Sequence, residues 1–200
     1  MKNQLFISQL IGDVLFPILG FLLWDWSLYF ILIFVLLDLL CDLVVTHFKA
    51  NKIAQFQGAK SKFPFSLSLI AIALFALTLS TIHFLVFTHV PAINFAKELV
   101  AFWNYQDMGL PQGYLLLPLL ILMSIQQYRL EFSMPAMYRK QVQKEVWKNH
   151  FTSYWFLLAF AGIGIGLVTL LQVNETILVC FLLLVLILRT VSTRFLQPAR

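Results

Sequence analysis

The sequence predicts an all-α fold, a six-transmembrane helical bundle with cytoplasmic N- and C-termini, one outer interfacial helix and one basic cytoplasmic surface helix. Three observations carry that prediction. First, 60% of the 200 residues are hydrophobic and 12% are charged, with 20 phenylalanines and a mean hydropathy of +0.85. A soluble domain carries about twice that share of charge, so lipid is the solvent that this composition fits. Second, six apolar runs approach the roughly 20 residues that cross a hydrocarbon layer. They are residues 5–23, 26–48, 65–87, 114–130, 152–171 and 176–196. Third, Lys and Arg gather in alternate connections, as they do in loops held on the cytoplasmic side. The runs fill most of the chain and leave no room for a soluble catalytic domain, so residues 1–200 read as a single integral membrane domain.

Segment one has only Lys2 ahead of it, and no small-x-small cleavage site follows. Asp13 and Pro17 interrupt what would be a signal-peptide core, so a retained helix is expected. It forms a hairpin with segment two, turning near Asp25 between Trp24 and Trp26. Trp24, Trp26, Trp103, Tyr105, Trp147, Tyr154 and Trp155 fall where interfacial aromatic belts are expected. Residues 49–62 carry Lys49, Lys52, Lys60 and Lys62 and no acid. In residues 91–113, Ile93, Ala96, Leu99, Val100 and Trp103 recur at helical spacing, away from Lys97, Glu98 and Asn104. That pattern predicts a short helix in the outer interface, with a re-entrant segment as the alternative.

Segment four is the weakest, because Pro118 interrupts it and Gln126 and Gln127 end it. Residues 129–150 hold Arg129, Arg139, Lys140, Lys144 and Lys148. Within them, residues 137–150 read as the cytoplasmic surface helix, with Lys140, Lys144 and Lys148 on one face and Val142 and Val146 on another. Such a stripe meets anionic lipid head groups at about 1 kcal/mol per charge; a protein partner is the alternative occupant. In segment five, Gly162 and Gly166 stand four apart and predict a face for close helix packing. Asp25, Lys97, Glu98, Asp107 and Glu175 fall on the opposite side from Lys2, Arg194, Arg200 and the basic linkers. The charge of +5 is therefore a topology signal of a multi-pass protein of the cell inner membrane, and nucleic acid is not an expected partner. The sequence leaves a homo-oligomer open.

Three aspartates lie inside apolar segments, where a carboxylate is costly and marks a site. Counted from the outer ends at 1.5 Å per residue, Asp13, Asp38, Gln126 and Arg189 all lie about 20 Å deep. Asp42 is one turn beyond Asp38 on the same face. These five residues form the expected intramembrane polar cluster. In one reading it is structural, with Arg189 paired to Asp38 or Asp13. In the other, three carboxylates against one Arg leave negative charge that holds a cation or a proton. His83 and His89 do not share a helical face, and His47 and His150 are placed near the cytoplasmic head groups, so no metal site is expected. Cys41 and Cys180 fall at different depths and predict no disulfide. No cofactor is expected.

Enzyme signatures are weak. Asp38-x-x-x-Asp42 is half of the metal motif of CDP-alcohol phosphotransferases, but the upstream Asp-Gly and Ala-Arg elements are missing. No Gly-x-Ser-x-Gly or His-Glu-x-x-His occurs. The leading expectation is a small transporter handling ions or protons. The alternatives are a non-catalytic membrane subunit that anchors or regulates a partner, and an enzyme acting on lipid.

The first hairpin resembles a family of uncharacterised bacterial integral membrane proteins. The residues that carry the likeness are Asp13 (Asn in the family), Pro17, Gly20, Trp26–Ser27 and Leu37–Asp38. Fainter matches are Glu131, Tyr138–Arg139, His150, Gly166 and Arg189–Thr190. The family's Tyr-Trp-x-Glu reads Val35-Leu36-Leu37-Asp38 in this chain, and its Ser-His-Gly element reads Ser124-Ile125-Gln126. The resemblance covers about half the chain and implies a polytopic helical bundle, with no activity attached.

Overall fold

The computed structural model describes residues 14–58, 63–104, 106–107 and 110–196. Asp13 and the start of segment one lie outside them. The described elements are α1 (Phe16–Leu23), α2 (Leu28–Phe56), α3 (Phe63–His89), α4 (Phe95–Asn104), α5 (Gln112–Gln127), α6 (Gln143–Leu171) and α7 (Glu175–Leu196). A π-helical stretch, Tyr128–Ser133, extends α5, and a 3-10 turn, Met137–Arg139, follows it. Two-residue strands, Gln106–Asp107 and Leu110–Pro111, pair antiparallel before α5. Among the described residues, five helices are long and apolar enough to cross a membrane: α2, α3, α5 with its extension, α6 and α7. Large side chains such as Ile72, Phe84, Leu122, Trp155, Leu170 and Leu184 are exposed on them, as suits a lipid-facing surface. The chain is a multi-pass membrane protein.

α2 is the hub. It touches α1, α3, α4, α5, α6 and α7. From Leu28 to Leu36 every residue is buried, on all sides of the helix. An all-apolar stretch with no polar stripe requires that burial or lipid on every side. The turn before it is tight. Asp25 adopts φ 52°, and the Trp26 N–H donates to the Gly20 carbonyl at 3.0 Å. Ser27 caps α2 by accepting from the Phe30 N–H at 3.2 Å. The Glu175 carboxylate accepts the Leu28 N–H, so one side chain at the start of α7 also satisfies an orphan donor at the start of α2.

Three belt assignments change. Trp26 is 2% exposed, packed against Gly20 and among Phe16, Phe30 and Phe34. Trp147 and Tyr154 are buried as well, and only Trp155 of that group faces outward. The aromatics near the helix ends therefore build the core. A short helix forms in the expected stretch, as α4; its Phe102 is buried against Phe30 with ring centroids 4.5 Å apart.

The expected separate surface helix over residues 137–150 is not formed. A short turn covers Met137–Arg139, and α6 then runs unbroken from Gln143 through the span. Arg139, Lys140, Lys144 and Lys148 are all exposed. The continuity follows from spacing: Val146, Trp147, His150, Ser153, Tyr154, Leu157, Phe160, Ala161, Gly164 and Val168 are buried along one α6 stripe. The glycine assignment changes too. Gly162 is exposed, and a Cβ built on Gly162 or Gly166 meets nothing within 4 Å. The close approach is at Gly164, where a Cβ would sit 3.1 Å from Leu85 of α3.

At the basic end, α2 overhangs the span and holds the α5–α6 connection. Lys52 donates to Ser133 Oγ at 2.8 Å and lies 4.9 Å from the Tyr138 ring centroid. Gln143 donates to the Ala50 carbonyl at 2.8 Å. Ile53, Phe132, Met137 and Val146 form a second small core there.

Gly20 tests the hairpin. A Cβ would overlap Cε3 of Trp26, within a ring packed on several sides. Gly20→Ala should lower stability by about 1–3 kcal/mol through overpacking, read as the midpoint of thermal or denaturant unfolding in detergent. Gly162→Ala, in open space, should leave the midpoint unchanged or raise it.

Candidate functional site: a polar cleft at the basic end

Four faces converge on one cleft of about 150 Å³. α2 contributes Asp38, Asp42, Thr46 and Lys49, spaced to share a helical face. α5 and its extension add Ser124, Gln127 and Glu131; α6 adds Asn149, His150 and Ser153; α7 adds Arg189 and Thr190. A π-helical stretch carries Glu131, and such wide turns recur where a helix re-aims a side chain.

One ion pair and one histidine–carboxylate hydrogen bond cross the cleft. Arg189 Nη2 donates to Asp38 Oδ2 at 3.3 Å, and its Nε donates to Ser153 Oγ at 3.2 Å. His150 Nδ1 lies 2.7 Å from Asp42 Oδ2, and its Nε2 lies 3.1 Å from the Tyr154 hydroxyl. The partners Arg189 and His150 are sequestered and the carboxylates are not. The side chains of Arg189 and His150 are 9% and 0% exposed, against 25% for Asp38 and 35% for Asp42. Each acid therefore shows one side to a helix-borne partner and another to the cleft.

Of the five residues of the expected cluster, Asp38, Asp42 and Arg189 come together. Asp13 lies outside the described residues. Gln126 is exposed, and its neighbour Gln127 lines the cleft. Adjacent residues differ by only 1.5 Å in depth but by a large angle around the helix, so a depth count does not choose between them. His150 is the main residue that sequence reasoning missed. It is a buried partner of Asp42, 2% exposed, and not a head-group contact. Its place at three- and four-residue spacing in the run Trp147, His150, Ser153, Tyr154, Leu157 was the available signal. His47 instead bonds Ser68 at 2.8 Å and Asn51 at 2.8 Å. Arg139, Lys140, Lys144 and Lys148 do not line the cleft. Among the described residues, no group of three or more His, Cys, Asp or Glu is disposed to hold a metal.

No protein-family model, no curated protein and no solved structure matches the chain. The likeness of the first hairpin to an uncharacterised family therefore carries no further argument, and the geometry stands alone.

Removing one partner of a sequestered ion pair strands the other charge. Arg189→Met should cost about 3 kcal/mol or more, and the double variant Arg189→Met with Asp38→Asn should recover part of that loss. A double-mutant cycle on unfolding midpoints measures the coupling. Strict additivity would show that the pair contributes nothing.

Proposed function

We propose that this protein is a small transporter that handles ions or protons through the Asp38, Asp42 and Arg189 cluster. One observation carries the reading. Both aspartates are reachable from a polar cleft at one end of the bundle, while the helix between them and the other end is buried in apolar side chains. A purely structural cluster inside a membrane protein gains by being dry and fully paired. This one keeps carboxylate surface facing a cavity.

The proposal extends to threading and location. The chain crosses the bacterial inner membrane six times, with both termini cytoplasmic and the cleft opening inward. Supporting this, Lys49, Lys52, Arg139, Lys140, Lys144 and Lys148 gather at the cleft end, and Asp25, Glu98 and Glu175 at the other. Anionic head groups are the proposed neighbours of the exposed basic residues. Their exposure favours a second reading, a non-catalytic subunit docked to a partner protein through the same surface.

The full chain reconstituted in liposomes, with internal dyes for pH and for alkali cations, tests the transport reading. Asp38→Asn keeps an acceptor for Arg189 and removes the charge; it should reduce flux about tenfold or more in protein that still folds, with an unfolding midpoint lowered by less than in Arg189→Met. Equal flux in variant and parent, or none in the parent, would overturn it. For the threading, Lys140→Cys and Lys97→Cys in a cysteine-free background should react with an impermeant reagent from the inside and outside respectively.

A further inference from the structure

The charges around the cleft do not cancel. Asp38 and Asp42 face it from α2 and Glu131 from the extension of α5, against Lys49 of α2 and Arg189 of α7. Among the described residues, three carboxylates against two cations leave one negative charge. His150, on α6, is the remaining titratable lining group, and its cationic form closes the count.

The contacts of His150 suit both of its charge states. At 2.7 Å a ring nitrogen and a carboxylate oxygen must share a hydrogen, since two lone pairs at that distance repel. The neutral ring therefore carries its hydrogen on Nδ1, directed at Asp42, and its Nε2 accepts the Tyr154 hydroxyl hydrogen. In the cationic ring, Nδ1–H still donates to Asp42, and the new Nε2–H donates to the phenol oxygen, whose hydrogen turns away. A hydroxyl both donates and accepts, so neither contact breaks. Trp147 and Phe151 pack beside the ring, and Tyr154 meets it edge-on at 4.9 Å. The imidazole is held in place while its charge changes.

We propose that His150 is the proton-binding group of this cleft, and that the species the protein carries is the proton. One proton adds to Nε2, the cleft goes from one net negative charge to none, and no bond between heavy atoms forms or breaks. Return of the proton restores the acidic cleft. The Asp38–Arg189 pair is the fixed neighbour that keeps Arg189 from competing with His150 as Asp42's counter-charge. The carrier role rests on the transport reading above; the proton site is testable apart from it.

Nitrogen-15 NMR of histidine-labelled full chain in nanodiscs reads the ring directly. As the pH is lowered from about 9 to about 5, His150 should pass from an Nδ1–H neutral ring to a doubly protonated one in a single step. Tyr154→Phe should move the Nε2 resonance, and Asp42→Asn should displace the midpoint by about one pH unit or more. A ring fixed in one protonation state across the range would overturn the site. In liposomes, His150→Gln should lose about tenfold or more of the pH-driven flux. Full proton flux in His150→Gln, or flux of an alkali cation in place of protons, would overturn the carrier role. A parent that titrates at His150 but moves no ion would sink the transport reading and leave the proton site standing.

Discussion

A charge inside a bilayer has no water to fall back on, so each buried ion must find its partner on another helix. That constraint organises this protein. Asp38 and Asp42 on α2 are matched by Arg189 on α7 and His150 on α6. Lipid tails are as apolar as leucine, and apolar burial alone gives helices little reason to choose one neighbour over another. The two pairs supply that choice. They fix which faces of α2, α6 and α7 meet and the rotation at which they meet. The apolar packing, with Leu85 against Gly164 and Trp26 against Gly20, then closes around that arrangement.

Much of this was legible in the sequence. Apolar run length marked the helices from segment two onward, because a spanning helix must satisfy its own backbone and cannot be short. The convergence of Asp38 and Arg189 followed from counting residues, since helical rise converts position to depth. What sequence reasoning lost was angular. Gln126 and Gln127 share a depth and differ in face. Gly162 and Gly166 have the spacing of a packing motif, but Gly164 holds the face turned toward α3. Nothing in a single helix says which way it is rotated; its neighbours decide.

His150 was lost for a different reason. The basic residues Lys140, Lys144 and Lys148 suggested a helix lying on the surface and ending where the span began. The helix that carries the span in fact starts at Gln143, and Lys144 and Lys148 occupy the exposed side of its first turns. A basic stripe and a membrane entry are compatible on one helix, because long cationic side chains extend to the aqueous boundary while the opposite face packs inward. Charge thus hid a buried face one quarter-turn away.

Helices α2 and α6 are each 29 residues long. At 1.5 Å per residue each extends about 43 Å, well beyond the roughly 30 Å of a hydrocarbon layer. The surplus stands at the end where Lys52, Tyr138 and Gln143 tie the α5–α6 connection to α2. The surrounding leaflet can therefore thin or swell by several ångströms, sliding along both helices, without pulling lysines among the acyl chains or stretching the rim of the opening. The fold carries its own tolerance to bilayer thickness.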